Sequence, residues 1–198
     1  ELGDTVQARM ALDKALETLQ PPLDQFLAFS MASIQIEEGD LAGAETELGR
    51  AEAIVEQFKL EDTRAQLDML RAEIQLERQD YAGAIVFFQS ALERIERSVV
   101  AGNDVFILVP TLYAYMARAM VHVGDLDQAE VALENGFELD PSNPQLWLAR
   151  AQHQQASGAT ALAVASVNYA LAIWKDADPD YRFHIEAKEL AAELGAAR

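Results

Sequence analysis

Small and large apolar residues recur along this chain at intervals of four and three. Ala44, Leu48 and Ala51 show the pattern most simply. That spacing places them on one face of an α-helix, where the small residue admits a neighbouring backbone and the large one fills the space beside it. The same phrase returns as Ala8, Leu12 and Ala15, as Ala84, Phe88 and Ala91, as Ala129, Leu133 and Gly136, and as Ala163, Val167 and Ala170. Each copy follows a polar break: Gly3-Asp4, Gly39-Asp40, Gln79-Asp80, Gly124-Asp125 or Gly158. Glycine there accepts the positive φ that ends one helix, and aspartate caps the next. The breaks lie 36, 40, 45 and 34 residues apart, so the unit is constant and its connections vary.

A second series lies upstream of the breaks. Ala32, Ala72, Ala117 and Ala151 each stand seven residues before one, flanked by Met31, Tyr113, Met116 and Trp147. Asn143 with Pro144 is a cap followed by a first-turn proline. Each unit therefore reads as a helical hairpin that cannot bury its apolar face alone and must stack on the next. Strand-like alternation is absent, and Val105–Val109 is the only ambiguous run. It reads either as an extension of the next helix, packed against Phe87 and Phe88, or as an exposed contact surface.

The pattern resembles the tetratricopeptide repeat family, whose signature places Trp-x2-Leu-Gly-x2-Tyr before Ala-x3-Phe and Pro. Tyr113, Met116, Ala117, Met120, Ala129, Leu133 and Pro141 carry the best match. Gln35, Gln75 and Gln154 stand where the family has an aromatic, and Asp68 and Arg71 occupy normally apolar places. The resemblance implies an all-α fold, a right-handed α-solenoid of stacked antiparallel hairpins. It implies a single domain over residues 1–198, with 1–20 as the second helix of a truncated repeat. Residues 22–58, 61–100, 108–140 and 143–176 are then full repeats, and 180–197 a capping helix that covers the last repeat with Phe183, Ile185, Ala187, Leu190 and Leu194. The abrupt opening at Glu1 reads as a fragment of a longer parent.

Composition narrows the function. The 198-residue chain has a net charge of -18, which opposes nonspecific contact with nucleic acid and anionic membrane. It has no cysteine, hence no disulfide and no thiolate ligand or nucleophile. Its apolar runs fall short of the roughly 20 residues that span a bilayer. His122, His153 and His184 lack partners at metal-ligand spacing, no phosphate-binding glycine loop appears, and no serine sits in a nucleophile elbow. The sequence thus gives no grounds to expect a catalytic residue, metal or cofactor. The compartment stays open between cytoplasm and periplasm.

The resemblance implies a concave wall formed by the first helix of each hairpin. Its positions here are Phe26, Phe29, Ser33 and Glu37; Gln66, Met69, Glu73 and Glu77; Thr111, Ala114, Arg118 and His122; and Gln145, Leu148, Gln152 and Gln155. Some family members hold acidic C-termini there with Lys, Arg and Asn, groups that Phe29 and Ser33 do not supply. The expected partner is a protein or peptide, uncharged or basic to suit Glu37, Glu73 and Glu77. The alternative to this groove is that Phe26, Phe29 and Met69 pack internally. A second acidic surface lies at residues 37–62, with nine acids against Arg50 and Lys59. The function expected is a binding scaffold. The alternatives are a regulatory or sensory arm of a larger bacterial signalling protein, suggested by Leu171–Tyr181, or a self-assembly module; a homo-oligomer is not specifically indicated.

Overall fold

The computed structural model describes residues 5–16, 19, 21–97 and 108–195. Gly3, Asp4, the turn Gly102–Asp104 and Val105–Ile107 lie outside them. The described residues fall into helices and their connections, without a strand, and divide into two compact units that meet in sequence at 106/107.

The N-terminal unit holds α1 (Thr5–Leu16), α2 (Gln25–Glu37), α3 (Leu41–Phe58), α4 (Arg64–Glu77) and α5 (Tyr81–Arg97). The C-terminal unit holds α6 (Val109–Val123), α7 (Leu126–Leu139), α8 (Pro144–Ala156), α9 (Thr160–Ile173) and α10 (Arg182–Glu193). Helices pair as hairpins, α2 with α3, α4 with α5, α6 with α7 and α8 with α9. Within each unit one hairpin stacks on the next, through α2 and α3 against α4, and through α6 and α7 against α8.

The repeated phrase explains this packing. Ala44, Ala84, Ala129 and Ala163 have no exposed surface, and neither do Ala32, Ala72, Ala117 and Ala151 on the partner helices. The large members Leu48, Phe88, Leu133 and Val167 are buried beside them. Truncating Leu133 to alanine would cost about 2–5 kcal/mol, the range for a fully enclosed leucine.

The breaks behave as their residues dictate. Gly39 (φ 78) and Gly124 (φ 81) take the left-handed conformation that ends α2 and α6. Asp40 Oδ1 accepts from Gly43 N at 3.0 Å, Asp80 Oδ1 from Gly83 N at 3.0 Å, and Asp125 Oδ1 from Gln128 N at 3.3 Å. Asn143 caps α8 by accepting from the amides of Gln145 and Leu146. At the family's aromatic position, Gln154 instead accepts a hydrogen bond from Ser166 Oγ at 2.7 Å, so a polar link joins α8 to α9 there.

Of the ambiguous apolar run, only Leu108 and Val109 are described. Leu108 is exposed and Val109 is buried as the first residue of α6. In α10, Phe183, Ala187 and Leu190 are buried as the amphipathic pattern predicts, but Ile185 is exposed. His184 and Ala191 are buried instead, because the buried face of α10 is turned from the one the pattern suggests.

Candidate binding faces

In the N-terminal unit, α2 turns Phe26, Ser33 and Glu37 outward at helical spacing, with Ser30 on the same exposed stripe. Phe26 keeps 49% of its surface. On α4, Gln66, Met69 and Glu73 are half-buried and Glu77 is exposed, again one stripe. Phe29 falls out of this face, since it is enclosed with Ala28, Ala32, Leu48 and Leu70 in the unit's core. Of the three apolar residues for which internal packing is the alternative, Phe29 is enclosed, Met69 is half-buried and Phe26 is exposed.

The acidic run at 37–62 is partly neutralised in place. Glu45 pairs with Arg78 at 2.9 Å, Glu47 with Arg50 at 3.0 Å and Glu56 with Arg64 at 2.9 Å, while Glu52 meets Arg71. Glu38 pairs with Arg9 of α1 at 2.8 Å. Such exposed pairs contribute little stability, but they lower the charge this face presents.

In the C-terminal unit the face of α6 and α8 already carries a segment of the chain. Arg118 Nη2 donates to Glu186 Oε1 and Oε2 of α10 at 2.6 and 2.8 Å. Gln152 Nε2 donates to Glu186 Oε1 at 2.6 Å. Phe183 stacks on Tyr115 with ring centroids 5.6 Å apart, and the Arg118 guanidinium lies 5.2 Å from its centroid. Gln145 Nε2 donates to Tyr181 Oη at 3.1 Å. Thr111 Oγ1 accepts from Asn143 Nδ2 at 3.2 Å and so ties α6 to the start of α8. Leu148 and Ala114 are fully buried and leave the face, as Phe29 does.

His122, on the last turn of α6, lines a cleft of about 340 Å³ with Gln152, Gln155, Glu186, Glu189 and Glu193. Its pKa lies below the usual imidazole value, first because neighbouring atoms displace water and second because Arg118 is positive; Glu186 opposes both. Arg118, Gln145, Gln152 and the cleft-lining His122 share this face, and Tyr115, Tyr181, Phe183 and Glu186 are companions that the sequence pattern does not place beside them. The available signal was the i,i+3 pair Phe183 and Glu186 on a helix otherwise read only as a lid.

The joint between α7, α8 and α9 is aromatic. Trp147 lies 4.9 Å from Phe137 and 4.4 Å from Tyr169 between ring centroids, and its Nε1 donates to Pro141 O at 2.9 Å. Tryptophan opening the first helix and proline closing the previous unit are both signature positions, and residues 110–153 match the family model described as tetratricopeptide repeat. The chain carries a tetratricopeptide repeat. Its fold is the helical-repeat fold of that type. A solved structure titled "Crystal structure of APC/C hetero-tetramer Cut9-Hcn1" superimposes over 97% of this chain with a TM-score of 0.71 at 18% identity. The chain spans about a third (33%) of the length of that chain. A second, the TPR2AB-domain:pHSP90 complex of yeast Sti1, aligns over 93% of this chain and 89% of that one, at 14% identity with a TM-score of 0.39. No curated protein matches this chain closely. Within the matched repeat, Thr111, Arg118 and His122 lie on its first helix, and Gln145 and Gln152 on the first helix of the next hairpin.

Proposed function

We propose that this chain is a non-enzymatic protein-interaction scaffold that receives a peptide or protein segment on the first helices of its repeats. The observation that carries this reading is the half-exposed Phe26 at the head of the α2 stripe that ends at Glu37, on a helix packed beside α4 with Met69, Glu73 and Glu77. An aromatic anchor at one end of the stripe and carboxylates toward the other, roughly 16 Å along the helix, suit a partner segment with an apolar side chain and, further along, a lysine or arginine. Stacked hairpins present such a face ready-made, so the ordering cost on binding falls on the guest. The buried carboxylate of Asp68, on the α4 side of this scaffold, is engaged on both oxygens by Arg71, Ser90 and Arg94 and joins α4 to α5.

A peptide array probed with the intact chain tests the reading. Basic and aromatic-rich peptides should be retained, their binding should weaken as salt rises, and Phe26→Ala with Glu73→Gln and Glu77→Gln should abolish it. Retention unchanged in the triple variant would refute the α2/α4 face as the binding surface.

A further inference from the structure

Among the described helices, α9 alone contains no charged residue, in a chain with 33 acidic side chains. The outward faces of α3, α5 and α7, the second helices of the other hairpins, carry Glu45 and Glu56, Glu93 and Glu96, and Glu134 and Glu138. On α9 the outward face is Leu162, Tyr169 and Ile173 interleaved with Ala161, Ala165 and Ala172. The three large residues keep 59%, 48% and 40% of their surface. We propose that this face pairs with the same face of a second copy of the chain, the two α9 helices running antiparallel about a two-fold axis level with Val167.

The face is complementary to its own reversal. Read backwards about position 167, Leu162 falls on 172, Tyr169 on 165 and Ile173 on 161, and each of those positions is an exposed alanine. In an antiparallel pair centred there, every large side chain of one copy comes level with an alanine of the other. The alanines let the helices approach and the large residues fill the space beside them, the rule that also packs the hairpins within the chain. A two-fold contact needs this property, because one patch must fit itself, whereas an unrelated partner does not require it. Tyr169 leans on Trp147, 4.4 Å away between ring centroids, which holds its exposed ring in place.

Charge selects the same occupant. The net charge is -18, so two copies repel wherever their acidic faces meet. A basic partner would be better served by the outer faces of α3, α5 or α7 than by α9. A surface without charge is the one on which a strongly acidic chain meets another like itself. Asn168 is exposed one residue from the axis, so the amides of two copies come side by side there, as a single polar pair fixes register in a coiled coil. The stripe runs about 18 Å along one helix, which makes the interface small and the dimer weak and reversible.

Sedimentation equilibrium of the full chain up to roughly 500 µM tests the pairing. A reversible dimer is expected, and it should tighten as salt rises, because salt screens the repulsion between two acidic copies. Ala165→Glu places like charges beside the axis and should weaken the dimer about tenfold or more. Leu162→Gln should act in the same direction, which keeps the test decisive if Ala165→Glu misfolds by circular dichroism. The chain has no cysteine, so a single introduced thiol reports only on its own counterpart. With a short thiol–thiol crosslinker, Asn168→Cys should yield covalent dimers, and Asn135→Cys, exposed on α7, should not.

A chain that stays monomeric across that range overturns the proposal. A dimer that the folded Ala165→Glu or Leu162→Gln variant leaves intact, or equal crosslinking at 135 and 168, puts the contact elsewhere and overturns it too. None of these variants touches Phe26, Glu73 or Glu77, so the outcome is independent of peptide binding on the α2/α4 face.

Discussion

Asp68 on α4 and Arg94 on α5 are 26 residues apart in sequence and bonded in the structure, Arg94 Nε donating to Asp68 Oδ2 at 2.7 Å. Arg71 Nη1 holds the other carboxylate oxygen at 2.6 Å, and Ser90 Oγ donates to Oδ2 at 2.8 Å. Asp68 keeps 5% of its side-chain surface, whereas Arg71 and Arg94 keep 32% and 40%. The buried charge is therefore the carboxylate, and the arginines reach water. Removing both with Arg71→Ala and Arg94→Ala would strand that charge and cost about 3–5 kcal/mol. Asp68→Leu restores the apolar residue type of the repeat and lets the arginines turn to solvent, so it should cost less. Urea unfolding of the two variants checks the order, and a larger loss for Asp68→Leu would contradict it.

The left-handed turn supplies a second expectation. Gln79 occupies the break where the neighbouring repeats have glycine, and it still adopts a φ of 60°. A non-glycine residue there is strained by roughly 1–2 kcal/mol, partly offset by the entropy glycine loses on folding. Gln79→Gly should raise stability by about 0.5–1 kcal/mol, and Gly124→Ala, the reverse change one break later, should lower it. Thermal melts of both resolve the signs.

How far the chain can be read without coordinates follows from such positions. The second helices were legible because Ala-x3-Leu is a local record of close approach, and Ala44, Ala84, Ala129 and Ala163 are indeed enclosed. Asp68 and Arg71 looked like decay of the pattern because the residue that completes them, Arg94, sits one helix away. The candidate faces were legible to within one helical step. Each residue turns about 100° around the axis, so Leu148 points into the core while Gln145 and Gln152 point out. Glu186 was invisible for a different reason: its partner Arg118 lies 68 residues earlier, and neither carries a local mark of the other.

Two glycines inside helices should respond oppositely to alanine. Gly136 stands at the small position of its repeat, and a Cβ there would come within 2.5 Å of Leu146 Cδ2 and 3.1 Å of Tyr113 Cβ. Leu146 can shift its tip, but the Tyr113 Cβ is fixed to its backbone. Gly136→Ala should therefore cost about 1–3 kcal/mol by overpacking, despite the better helix propensity of alanine. Gly49, exposed on α3, has nothing within 4 Å of the same position. Gly49→Ala should stabilise by about 0.5–1 kcal/mol. Denaturant midpoints at constant m-value separate the two.

The last expectation concerns His122 and its neighbours. Displaced water and the positive Arg118 lower its pKa from the ordinary 6.5, while Glu186 raises it. Glu189 and Glu193 of α10 and Gln152 and Gln155 of α8 complete its surroundings. The folded chain thus takes up this proton at lower pH than the unfolded chain. As pH falls through 6.5, the unfolded state gains a proton that the folded state still refuses, so stability declines. The decline ends once pH passes below the folded pKa, and His122→Asn removes it. NMR titration of the imidazole should give a midpoint below that of an unstructured histidine. Arg118→Gln should move the midpoint up, since it removes a like charge, and Glu186→Gln should move it down, since it removes the attractive one. A midpoint that rises in Glu186→Gln would mean that Glu186 does not face His122, and would undo the seating of α10 from which that contact follows.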